Sequence, residues 1–199
     1  AVSAATPAAA QFLGMPVWNS PKGGTGITIS GDYGHPNADL GKGNAFGARG
    51  TAGLGNLNVT LGFSTWKPSG ATDSFKSVGG DAAFRVIGGS LLPINLLVGG
   101  ARTTVSGATG SLMTLIAGGG VSVSLPTPGV SVEPYLSLAN RWHNPSIGST
   151  ESNFGWTIGA NLGFGLMGAH IAYDSESSNG TPGGILGIGV HVSLKVPMM

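Results

Sequence analysis

Cysteine is absent and charge is scarce. With no cysteine there can be no disulfide, thiolate metal site or cysteine nucleophile. The absence also suits a chain that crosses an oxidising compartment unfolded. Only 9% of the 199 residues are charged, against about a quarter in a soluble domain. Nine basic and eight acidic residues give a formal net charge of +1, and the basic residues are scattered. That distribution argues against a nucleic-acid groove. Long apolar helical runs are missing too. Residues 103–132 and 152–173 lack acids and bases, and a transmembrane helix needs about 20 apolar residues. The first stretch, however, contains Gly118, Gly119, Gly120, Pro126 and Pro128, and the second alternates in polarity.

What the chain has is glycine, 37 residues of it, and alternation. In residues 154–165 every even position is apolar (Phe154, Trp156, Ile158, Ala160, Leu162, Phe164). Every odd position is small or polar (Gly155, Thr157, Gly159, Asn161, Gly163, Gly165). Strict period two marks a strand with unlike surroundings on its two faces. A soluble strand would carry long charged groups on its polar face. Here that face is nearly all Gly, Thr and Asn, as in a strand with lipid outside and a cramped polar interior.

From Gly24 onward the pattern predicts about ten strands, near 25–34, 44–54, 56–66, 75–88, 93–104, 111–125, 130–142, 153–165, 166–174 and 184–196. A tilted strand of roughly 9–11 residues spans the hydrocarbon. The connections alternate. Short ones are expected at 53–56, 88–92, 126–129 and 163–165, and long polar ones at 35–43, 67–74, 106–111, 143–152 and 175–183. This predicts an all-β fold: a transmembrane antiparallel up-and-down barrel over residues 24–199. Residues 1–23 form an N-terminal extension that plugs the barrel, reaches a neighbour as an arm, or hangs as a tail.

Face assignment sends Leu57, Val59, Leu61 and Phe63 outward, and likewise Leu186, Ile188, Val190, Val192, Leu194 and Val196, with Lys195 inward. The run Leu96-Leu97-Val98 is expected to hold a bulge. Charges then collect in the lumen as a network of Arg49, Asp81, Arg85, Glu133 and Arg141, joined by His170 and His191. An Arg or Lys facing lipid at mid-depth costs about 2–4 kcal/mol, which drives this sorting. Tyr33, Phe46, Trp142, Phe154, Trp156 and Tyr173 take the outward parity near the long-loop ends. They form an aromatic girdle at one membrane interface.

On these residues the chain resembles the bacterial outer-membrane β-barrel proteins, the small porin-like, OmpA- or OmpW-like class. The resemblance covers residues 24–199 and is one of pattern. It implies a Gram-negative outer-membrane location, a cleaved signal peptide ahead of Ala1, and outer-membrane lipid as partner. Outer-membrane barrels usually end in an aromatic residue that assists insertion, whereas this chain ends Val196-Pro197-Met198-Met199. Small outward residues (Gly50, Gly80 and Gly119 beside Ala48, Ala82 and Ala117) offer flat ground for another outer-membrane protein or another copy of this chain.

Neither cofactor nor metal is expected. No glycine-rich segment ends in the Gly-Lys-Ser/Thr that phosphate binding requires. His170 and His191, both inward on adjacent strands, could approach each other, but third ligands are not evident and two imidazoles do not close a metal site. The expected role is therefore non-enzymatic: structural, assembly or narrow passive pore. The alternative is a hydrolase or acyltransferase acting on lipid or peptide. Its polar groups (Asp32, Asp39, His143, Asp174 and Glu176) would gather at the long-loop rim, although no local motif marks a nucleophile. A soluble ligand carrier of the lipocalin kind has the opposite polarity.

Overall fold

The computed structural model describes residues 11–88, 91–106, 110–178 and 181–194. The expectations that fall on residues 1–10, Gly89, Ser90, Lys195 and Val196 lie outside these. The strands are β1 Gly24–Pro36, β2 Asn44–Gly55, β3 Leu57–Lys67, β4 Phe75–Ile87, β5 Ile94–Val105, β6 Ser111–Ser122, β7 Leu125–Thr127, β8 Val130–Pro145, β9 Glu151–Phe164, β10 Met167–Ser178 and β11 Thr181–Leu194. Consecutive strands pair antiparallel, except β6 and β7; β1 pairs with β11, and β6 pairs directly with β8. The three-residue β7 continues β6 along the same partner, β8, so the wall has ten staves. Closure leaves no edge strand, and every backbone ladder is satisfied within the wall, as a bilayer demands.

Alternation sets the two surfaces. Ile29 is 63% exposed while Ser30 beside it is 6% exposed, and Leu61 at 68% follows Thr60 at 6%. The same step recurs on β11, where Leu186, Ile188, Val190, Val192 and Leu194 all face out. Side chains that water would reject form the outside of the molecule, and hydroxyls, amides and ions form the inside. Gly50, Gly80 and Gly119 fall on the outward parity of β2, β4 and β6.

Three expectations need correction. The bulge lies in β4, between Arg85 and Ile87, and not in the Leu96-Leu97-Val98 run facing it. That run alternates regularly: Leu96 and Val98 face out, and Leu97 faces in because an apolar nest with Val17 receives it. The connections expected at 143–152 and 175–183 are mostly strand. Here β8 runs on to Pro145, β9 starts at Glu151, β10 reaches Ser178 and β11 starts at Thr181. Of the polar residues that suggested loops, His143 and Glu176 point inward and meet each other, while Asn144, Ser152 and Ser177 face out. Finally, Arg85 is not part of a lumen network. It sits at the short-turn rim, where its guanidinium donates to the Asn56 side chain and the Lys22 carbonyl.

Candidate functional site

The bore is occupied by the chain itself. Residues 11–22 read Gln-Phe-Leu-Gly-Met-Pro-Val-Trp-Asn-Ser-Pro-Lys, a segment too apolar to remain in water and too rich in Pro and Gly for a helix. From the short-turn rim at Lys22 the segment runs up the lumen. It reverses in a tight turn in which the Met15 amide donates to the Phe12 carbonyl, 3.0 Å, with Gly14 at φ 77°. Phe12, Leu13 and Met15 pack with Ala45, Trp66 and Ala101 below the long-loop end. Val17 packs with Ala83, Leu97, Ile116 and Ala139 at mid-barrel. Each such side chain, fully buried, contributes roughly 1.5–3 kcal/mol.

A buried extended segment must find partners for its own amides and carbonyls. Side chains of the wall supply them. Ser64 Oγ donates to the Leu13 carbonyl, 3.0 Å, and Tyr135 Oη to the Val17 carbonyl, 3.3 Å. Asp174 Oδ2 accepts from the Val17 amide, 3.3 Å, and Asn161 Nδ2 donates to the Asn19 carbonyl, 2.9 Å. The Asn19 side chain exchanges two hydrogen bonds with Asn95 and donates a third to Ser137. At the rim, Glu133 accepts from Ser20 Oγ, 2.7 Å, from the Lys22 amide, 2.9 Å, and from Ser122 and Asn161.

Several lumen glycines form the socket for this segment. A Cβ on Gly34 would collide with the Gly14 carbonyl oxygen, one on Gly120 with the Asn19 side chain, and one on Gly187 with Pro16 and Trp18. The period-two pattern marks these glycines as inward but does not reveal what they make room for.

Ions inside the wall form separate groups and not one network. In the first, Arg49 grips Asp32 with two bonds, Nε–Oδ2 2.6 Å and Nη2–Oδ1 3.0 Å, and His170 Nε2 meets Asp32 Oδ1 at 2.6 Å. His170 Nδ1 faces His191 Nδ1 at 3.2 Å. A single hydrogen serves that contact, so one nitrogen donates and the other accepts. Trp18 of the internal segment covers the group, its ring edge-on to His170 at 4.5 Å and beneath the Arg49 guanidinium at 5.2 Å.

The second group is more deeply enclosed. Arg141 binds Asp174 through both terminal nitrogens, 2.8 and 2.7 Å, and Glu176 through one, 2.9 Å. Glu176 also meets His143 Nε2 at 2.6 Å, and His143 Nδ1 meets Thr114 Oγ1 at 3.2 Å. Thr114, His143 and Glu176 thus stand in the order of a nucleophile, a base and an orienting acid. Each is at most 2% exposed, which leaves no room for a substrate beside them. The same burial makes this group a brace between β6, β8 and β10. Asp81 feels the charge of Arg49 in the first group and lies beside Gln11 and Thr60.

Of the sequence-derived lumen residues, the structure brings together Arg49, His170 and His191. Asp81 and Glu133 line the same vestibule as those three, Arg141 stands apart in its own group, and Arg85 lies at the rim. Of the rim candidates, Asp32 is the counterion of Arg49, Asp174 and Glu176 are those of Arg141, and Asp39 stands exposed in the first loop. The parity that turned Ile29 and Tyr33 outward already turned Asp32 inward, so that signal was present. Tyr33, Phe46, Trp142, Phe154, Trp156 and Tyr173 all take the outward face, with Phe46 and Phe154 the most open. A polar vestibule of about 570 Å³ lies under the internal segment. It reaches the short-turn rim at Gly53 and Gly163 and is lined by Arg49, Asp81, Glu133, His170 and His191. Among the described residues no cluster of His, Asp and Glu has the makings of a metal site.

Neither a protein-family model nor a curated protein sequence matches this chain. Solved structures do match in shape. The β domain of the Bordetella autotransporter Brka superposes with a TM-score of 0.57 at 10% identity, covering 85% of this chain and 100% of that one. A bacterial polysaccharide outer-membrane secretin gives a TM-score of 0.50 at 10% identity, covering 86% of this chain and 66% of that one. At such identity the likeness is one of fold. The fold is that of the bacterial outer-membrane β-barrels.

Proposed function

We propose that this protein is a structural barrel of the bacterial outer membrane, closed along its axis by its own residues 11–22, and that it conducts no ions. The outward belt supports the membrane setting. Leu61, Phe63, Val78 and Val190 are each 58–68% exposed, and apolar patches on that scale are rare in water-soluble monomers. One observation carries the sealed reading over a passive pore: the apolar side chains of Phe12, Leu13, Met15 and Val17 are buried on the barrel axis, each at most 4% exposed. A pore of the same wall would line its bore with polar groups and water. The vestibule below the segment is a dead end in this reading, and the braced ion groups hold the wall in shape around it. The short turns face the periplasm, as in other barrels of this fold.

The test is ion conductance in planar bilayers. Purified, refolded protein is expected to insert without measurable current. A stable unit conductance from the intact chain would replace the sealed reading with that of a narrow pore.

A further inference from the structure

On the outer surface of the described strands every charged side chain is a cation. There are three: Lys67 at the end of β3, Lys76 on β4 and Arg102 on β5. Each is exposed and flanked by a buried inward residue: Trp66, Ser77, and the pair Ala101 and Thr103. The acids of the strands (Asp32, Asp81, Glu133, Glu151, Asp174 and Glu176) all take the inward parity. No acid of the strands faces outward, and the outward cations are gathered on three consecutive strands.

Register brings the three together. Thr65 pairs with Lys76, Lys76 with Thr104, and Val78 with Arg102. Lys76 is therefore the diagonal neighbour of Lys67 on one side and of Arg102 on the other, and diagonal neighbours stand about 7–8 Å apart. Like charges at that spacing repel unless an anion lies between them. Among the described residues none of the three makes an ion pair. The nearby acid in sequence, Asp73 in the loop after β3, is hydrogen-bonded by Thr72.

The height of the patch identifies the anion. Lys67 closes β3 and Lys76 is the second residue of β4, so both stand at the long-loop end, as do Tyr33 and Phe46 of the aromatic girdle on β1 and β2. Girdle rings mark the headgroup level, and long basic side chains beside them reach toward phosphates. A groove of about 390 Å³ opens beside Lys67, between Phe46, Thr65 and the loop at 68–71. We propose that Lys67, Lys76 and Arg102 bind the phosphate groups of an outer-leaflet lipid, Arg102 through its planar fork and the lysines as point charges. The proposal rests on the membrane reading above.

The probe is bisphosphorylated lipid A, with its dephosphorylated form and inorganic phosphate as comparisons. Retention by the detergent-solubilised full chain is read by native mass spectrometry. The phosphorylated lipid is expected to remain bound and the dephosphorylated form to be lost. Each juxtamembrane cation near an anionic surface contributes about 1 kcal/mol, so single changes Lys67→Gln, Lys76→Gln or Arg102→Gln should weaken retention roughly fivefold. The triple change should weaken it on the order of a hundredfold. Heat-modifiable gel mobility and circular dichroism verify that the variants are folded barrels. Equal retention by the triple variant, or by the two lipid forms, overturns the site. Inorganic phosphate that binds alone and displaces the lipid overturns the lipid assignment. Failure of the intact chain to enter bilayers at all would instead remove the membrane reading.

Discussion

The carbonyl oxygen of Gly14, at the reverse turn of the internal segment, lies directly against the Cα of Gly34 on β1, where no side chain fits between them. This contact locks the top of the segment to the wall. Gly14 itself holds φ 77°, and a Cβ there would meet Ala45 and Trp66. Two glycines, one on each partner, permit backbone to approach backbone.

Gly34→Val should therefore unseat the turn while the barrel persists. Overpacking of this kind costs about 1–3 kcal/mol. The expected readout is hydrogen exchange: residues 11–22, whose Val17 amide is bonded to Asp174, lose protection, and β8 to β10 keep theirs. Unchanged protection over 11–22 would show that the turn adapts to the added methyl groups.

The Arg141 group makes a sharper energetic statement. Its guanidinium and both carboxylates are about 1–2% exposed, so removing one partner strands a buried charge. Arg141→Met, which leaves Asp174 and Glu176 without their shared cation, should cost about 3–5 kcal/mol in urea unfolding from lipid vesicles. Asp174→Asn should cost less, because Glu176 still balances Arg141. The double variant should fall short of the sum of the two. Additive losses would mean that the pair does not act as one unit.

Much of this architecture was legible from alternation alone. Period two fixes which face each residue takes, and the lipid face of a barrel demands apolar side chains at every second position. Ile188 and Val190 therefore declared themselves. Loop lengths were less legible. Polar runs such as Ser175–Glu176–Ser177 look like loops when their partners are unknown, and they become strand once Arg141 and His143 receive them. The occupancy of the bore was legible only as one of three fates for residues 1–23, with nothing in the pattern to choose among plug, arm and tail. A Gly facing inward signals space, and only the close approach of the Gly14 carbonyl oxygen shows what Gly34 makes room for. The outward Arg102 shows the limit of the sorting rule: at the headgroup level a cation on the lipid side is no longer costly.

The native chain has no cysteine, so single-cysteine variants report access without further engineering. Thr51 lines the vestibule near the short-turn rim, whereas Thr114 is 1% exposed beside His143. In oriented vesicles Thr51→Cys should react with a membrane-impermeant maleimide added on the short-turn side and not on the other. Thr114→Cys should stay unreactive from both sides until urea is added. Labelling of Thr51→Cys from both sides would reveal an open path along the axis.

The four tryptophans test the two surfaces at once. Trp142 and Trp156 take the outward parity of β8 and β9; Trp66, at 3% exposure, and Trp18 lie inside. Single-tryptophan variants, with the other three changed to Phe, can be placed in bilayers of lipid brominated near the headgroup end of the acyl chain. Bromine quenches by contact. Trp156 packs against Tyr173 at 5.7 Å in the girdle and should be strongly quenched, as should Trp142. Trp18, edge-on to His170 behind the wall, should be untouched, and so should Trp66, whose Nε1 donates to the Lys42 carbonyl. A fold turned the other way, with a greasy interior and a wetted outside, would invert that pattern. A bore opened by loss of the internal segment would instead expose Trp66 to aqueous iodide while leaving the bromine pattern of Trp142 and Trp156 intact. The two quenchers therefore separate a mistake about the outer surface from a mistake about the inner one.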